Sequence, residues 1–95
     1  MIINKTKYFL KKAKKLLNKN LQLISAVNKT VEILSQNPKD PKLGSHKVKT
    51  PKFGECFSSS ITGDLRLIWS YNENNEVEII DLLDIGRHSG GGKVY

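Results

Sequence analysis

The sequence contains a single cysteine, Cys56, and no acidic residue before Glu32. One thiol excludes an intramolecular disulfide and gives no sign of an oxidising compartment, so Cys56 reads as a small core residue. No apolar run approaches the roughly 20 residues that a membrane-spanning helix needs. The opening "MIINKTKYFLKK" has no apolar stretch of the kind a secretory leader carries. A cytoplasmic protein without membrane association is expected. Histidine is nearly as scarce, since His46 and His88 are the only two and do not stand at a metal-ligand spacing. Neither a metal nor any other cofactor is expected.

What remains is basic and small. The 95 residues carry a formal net charge of +7 and are 38% hydrophobic, which suits one domain over residues 1–95 with a single modest core. Residues 1–31 hold eight lysines and no acid, whereas the rest of the chain is near neutral, with nine acids against eight lysines and arginines. The charge asymmetry therefore belongs to the N-terminal third. Clustered lysines attract polyanions and release counterions on binding, although the same pattern also describes a solvated helix surface.

Hydrophobic periodicity gives the elements. Met1 to Asn4 reads as a small strand. Phe9, Ala13, Leu16 and Leu17 recur at helical spacing with Lys11, Lys12, Lys14, Lys15 and Lys19 on the remaining arc, and Ile24, Val27, Val31 and Leu34 form the stripe of a second helix. The helices are expected to be antiparallel, joined near Asn18 to Asn20, and to end at "SQNPKDPKLG". Beyond Gly44 the period changes to two. "SHKVKT", "ECFSSSIT", "DLRLIWSY" and "EVEIIDLLDIG" read as four strands, with turns at Gly63–Asp64 and "NENN". The expected fold class is α+β: a small N-terminal strand, two helices, and an antiparallel meander of about four strands packed on them.

Few residue types here carry chemistry. His46 and His88 lie at the ends of sheet elements, and two imidazoles can share general acid and base roles near neutral pH. Arg66 interrupts an apolar alternation, so it belongs to the face opposite Leu65, Leu67 and Trp69. There it is either a phosphate clamp on a rigid strand or a partner of a cross-strand acid such as Glu78. Asp64 reads as a turn residue.

Together "LGSHKVK", "GDLRLIWSY", "IIDLLDIGRH" and the closing "VY" resemble the RelE/ParE superfamily of toxins from type II toxin–antitoxin systems. The likeness is strongest to the RelE/YafQ mRNA-interferase branch. It implies a RelE-like microbial RNase fold and a ribosome-dependent endoribonuclease that inhibits translation by cleaving mRNA through its own 2′-hydroxyl, without metal. It also implies a catalytic set of His46, Arg66, His88, Tyr95 and Asp64, with His46 as base, Arg66 as phosphate clamp and His88 as acid, the two histidines being exchangeable. Lys11, Lys12, Lys15, Lys19, Lys47, Lys49 and Arg87 are the expected RNA contacts. The implied partners are a cognate antitoxin, in a hetero-oligomer, and mRNA on the ribosome, with the basic helix against 16S rRNA. A ParE-like gyrase poison and a catalytically inert binding member of the same fold are the alternatives. Ser58, Ser59 and Ser60 count towards them, because they stand where interferases carry charged side chains. The three glycines before Tyr95 lead to one further expectation: His88 is held by its strand, whereas Tyr95 hangs free until substrate or partner orders it.

Overall fold

Thr6 fastens the start of the fold. Its hydroxyl caps the first helix by accepting from the Phe9 amide, and donates to the Leu82 carbonyl at 2.7 Å, so one side chain ties the helix to the last strand. In this computed structural model, which describes residues 1–74, 77–88 and 94–95, the elements are β1 (Ile2–Lys5), α1 (Lys7–Leu17), α2 (Leu21–Gln36), β2 (His46–Thr50), β3 (Gly54–Ser60), β4 (Leu65–Asn74) and β5 (Val77–Arg87). The last residue of "NENN", position 75, lies outside the described residues together with position 76, as does the "SGGGK" segment at 89–93.

The link between the helices follows from its asparagines. Asn18 and Lys19 adopt left-handed backbone conformations at φ 30 and 64, a region that asparagine tolerates better than most residues. Asn20 then caps α2 by accepting from the Leu23 amide. After α2 a single 3₁₀ turn at Pro41–Leu43 ends on Gly44 at φ 56, a conformation favouring glycine. It delivers the chain into β2.

The five strands form one sheet in the order β1-β5-β4-β3-β2. β1 joins β5 in parallel, and the other neighbours are antiparallel. One face bears Phe57, Leu65, Leu67, Trp69, Ile80, Leu82 and Ile85, and packs on Phe9 and Ala13 of α1 and on Val27 and Leu34 of α2. Fully burying each such large side chain contributes about 1.5–3 kcal/mol. The other face carries a smaller apolar cluster of Cys56, Ile68 and Val94, flanked by Val48, Leu83 and Tyr95.

A register shift in β5 explains the adjacent apolar pair Leu82–Leu83. Trp69 lies opposite Leu82 whereas Ile68 lies opposite Asp84, so Leu83 is the extra residue of a bulge. That shift lets Leu82 face the helices while Leu83 and Asp84 join the opposite face.

Candidate functional site

The register of the meander builds the site on the face away from the main core. Side chains directly opposite one another share a face, so His46, Ser58, Ile68 and Asp84 form one row across β2, β3, β4 and β5. Ser60, Arg66 and Gly86 form the next row. His88 follows β5 directly, and its amide donates to the Asp64 carbonyl at 2.7 Å. Both histidines are exposed, and the His46 Nδ1 lies 3.3 Å from the Gly44 carbonyl.

Tyr95 does not hang free. Val94 donates its amide to the Arg87 carbonyl at 3.1 Å and is buried against Cys56 and Ile68. Tyr95 is half-buried, and its phenol oxygen accepts a hydrogen bond from Ser58 at 3.2 Å. Its ring neighbours both imidazoles, at 6.2 Å from His46 and 5.5 Å from His88, centre to centre. The expectation of a loose tyrosine is therefore corrected. Burial of Val94 and these hydrogen bonds offset the entropy of ordering Val94 and Tyr95.

Arg66 occupies the expected face, opposite Ser60 and Gly86, while Glu78 lies opposite Glu73. Its Nη1 donates to the carbonyls of Thr62 at 2.8 Å and Leu65 at 3.2 Å, so the guanidinium is turned towards its own hairpin. Among the described residues it makes no hydrogen bond or ring contact with His46, His88 or Tyr95. Asp64 sits in that hairpin turn, where its carboxylate faces Arg87 at 3.7 Å while its carbonyl holds the His88 amide. The Arg87 pair is solvent-exposed and worth about 0–1 kcal/mol.

The lysines divide. Lys11, Lys15 and Lys19 are exposed on or just beyond α1. Lys12 departs from the expected free surface: its Nζ pairs with Asp84 at 2.7 Å. Lys47 and Lys49 lie opposite Phe57 and Glu55, and strand alternation puts them on the face opposite His46. They do not line the row that carries the histidine.

Three contributors were not foreseen. Ser58 and Ser59 are fully buried and make specific hydrogen bonds, Ser58 to Tyr95 and Ser59 to the Trp69 indole at 2.8 Å and to Ser45 at 2.6 Å. Asp84, an acid within an apolar strand, demands a buried partner, and that alone was a legible signal. Cys56 is buried beside this row. Burial pushes its thiol pKa up, a hydrogen bond to Thr50 opposes the shift, and the Asp84 charge adds to it. Among the described residues no three His, Cys, Asp or Glu side chains gather as a metal site. No described helix is long and apolar enough to cross a membrane.

This arrangement offers two imidazoles about one phenol, with arginines at the adjoining hairpin. It is a set suited to proton transfer beside a phosphate. No family model and no curated protein matches the sequence. Solved structures do match its fold. A YoeB/ParE toxin from Agrobacterium tumefaciens superposes with a TM-score of 0.74 at 11% identity, covering 94% of this chain and 100% of the other. YafQ from E. coli gives 0.68 at 16% identity, covering 90% of each chain. A copper-bound mutant toxin from Helicobacter pylori gives 0.66 at 25% identity, covering 93% of this chain and 94% of the other. The chain thus has the α+β fold of RelE/ParE-superfamily toxins over more than nine-tenths of its length in the first and third of these superpositions.

Proposed function

On that fold, we propose that the protein is the toxin of a type II toxin–antitoxin pair, and that it acts in the cytoplasm as a ribosome-dependent mRNA endoribonuclease. The observation that supports this most is the contact of the Tyr95 ring with both His46 and His88. Metal-independent cleavage through the RNA's 2′-hydroxyl needs a base to take that proton, a cation for the charge on the pentavalent phosphorus, and an acid for the departing 5′-oxygen. His46 serves as base and His88 as acid, or the reverse, since either imidazole carries either role. Arg66 supplies the cation by turning from the Thr62 and Leu65 carbonyls to a phosphate. Tyr95 packs on the substrate base or relays a proton between the imidazoles. General acid–base help of this kind contributes typically about 10²–10⁴ in rate.

A cognate antitoxin is the implied protein partner. A basic domain of this size suits an acidic segment that folds on binding. Gyrase poisoning is the competing activity, and it requires no histidine pair.

Controlled expression in a bacterial host separates these. Wild type and His88→Ala are induced, growth is followed, and new mRNA 5′ ends are mapped within translated frames. Codon-phased cuts that vanish in His88→Ala support the RNA reading. Growth arrest with intact mRNA and damaged DNA supports gyrase as target. Normal growth without cuts leaves a binding module with no toxicity.

A further inference from the structure

Tyr8 stands in the first turn of α1 and is 38% exposed, yet it is not alone. The turn between β2 and β3 brings Phe53 edge-on to its ring, with centroids 5.6 Å apart, and places the Lys52 ammonium 4.0 Å from the ring centre. The Lys12 ammonium lies 5.8 Å from the same centre. Positions 8, 11, 12 and 15 share one face of a helix, so Lys11 and Lys15 extend the group along α1. Among the described residues the ion pairs are Lys12–Asp84 and Arg87–Asp64; Lys52 is held by an aromatic ring and by no carboxylate. The result is two aromatic rings surrounded by cations, of which one is neutralised.

We propose that Tyr8, Phe53 and Lys52, with the α1 lysines, form a docking platform for single-stranded RNA. A base takes the place of the Lys52 ammonium over the tyrosine ring, and the displaced ammonium, with the helix lysines, meets the neighbouring phosphates. This deepens the RNA reading above and rests on it. A cation held over an exposed aromatic ring by no carboxylate fits a nucleotide because both parts are used: base on ring, phosphate on ammonium. An acidic peptide satisfies the lysines alone. Position supports the same choice, since Lys12 reaches from the platform to Asp84, which shares a row with Ser58 and His46.

The test uses the full chain and a fluorescein-labelled single-stranded oligoribonucleotide that is 2′-O-methylated throughout and so cannot be cleaved. Anisotropy is read across a range of salt concentrations. Tyr8→Ala is expected to weaken binding about fivefold to a hundredfold, as loss of a stacked base does, whereas Tyr8→Phe keeps wild-type affinity. Lys52→Ala is expected to reduce the salt slope by about 0.7, the change for one lost phosphate contact on a single strand. Thermal melts check folding, and if Tyr8→Ala melts early, the exposed Lys52→Ala carries the test. Failure of the wild type to bind, unchanged binding and salt slope in these variants, or a polyglutamate peptide binding with the same dependence on Tyr8 overturns the proposal. Because the probe is not cut, this outcome stands apart from cleavage: binding without codon-phased cuts sinks the RNase reading and leaves the platform, and cuts without Tyr8-dependent binding do the reverse.

Discussion

The Ser58 hydroxyl donates to the Tyr95 phenol oxygen at 3.2 Å, across 37 positions of sequence. A small side chain in the second strand of the meander thereby fixes the aromatic ring that closes the chain.

Ser58→Ala is expected to loosen Tyr95 with little effect on the fold, since a net hydrogen bond is worth about 0.5–1.5 kcal/mol. If Ser58 acts through the phenol, its effect on RNA cleavage disappears in a Tyr95→Phe background. A double-mutant cycle reads this as non-additivity, and NMR relaxation of the Val94 and Tyr95 amides reports the loosening directly. Additive losses and an unchanged tail contradict it.

Ser59 has a different duty. It accepts from the Trp69 indole, and both residues are fully buried. Ser59→Ala leaves that donor unpaired at a cost of about 1–3 kcal/mol. The sole tryptophan makes its own fluorescence the probe in urea titrations. A midpoint equal to wild type refutes the assignment.

Lys12 and Asp84 form an ion pair whose side chains are 30% and 8% exposed. Lys12→Ala strands a buried carboxylate. The loss is expected near about 2 kcal/mol, below the 3–5 of a fully buried pair because Lys12 keeps some solvent. Replacing both partners, as Lys12→Met with Asp84→Asn, is expected to recover most of it. Chemical denaturation of the three variants checks the order.

Cys56 gives the pH prediction. Burial first, and Asp84 in addition, raise its folded-state pKa over the opposing Thr50 hydrogen bond. The native thiol therefore stays protonated at neutral pH and is expected to alkylate far more slowly than in urea. A raised folded value means that the unfolded state gives up the proton first. Stability is thus complete below the ordinary thiol range, about 8.5, and falls as pH rises above it. Melting from pH 7 to 10 is expected to show a larger alkaline decline in wild type than in Cys56→Ala. Equal declines argue against the shift.

Local pattern made much of the fold legible. The alternation Leu65, Leu67, Trp69 marks β4 and its inward face, and the stripes Phe9–Ala13 and Val27–Leu34 mark the buried sides of the helices. The parallel pairing of β1 with β5 was not legible, because it joins residues more than 70 positions apart. The candidate site was legible in residue types and less so in geometry. Lys47 and Lys49 stand among the RNA contacts that the resemblance implies, but the two-residue period assigns them to the face away from His46. Three serines looked like lost charge, yet Ser58 and Ser59 are hydrogen-bond anchors whose partners lie 37 and 10 positions away. The tail looked loose because its glycines are visible in sequence and the Val94 contact with Cys56 and Ile68 is not.

The most direct test is the chemistry of the cut. Purified protein is incubated with ribosomes programmed with a defined reporter mRNA and no added metal beyond that the ribosome requires, and the new RNA ends are sequenced and chemically typed. Attack by the 2′-hydroxyl predicts 5′-hydroxyl and 2′,3′-cyclic phosphate ends, with rates falling about 10²-fold or more in His46→Ala and His88→Ala. Ends carrying a 5′-phosphate, or intact mRNA beside a growth-arresting protein, would contradict it.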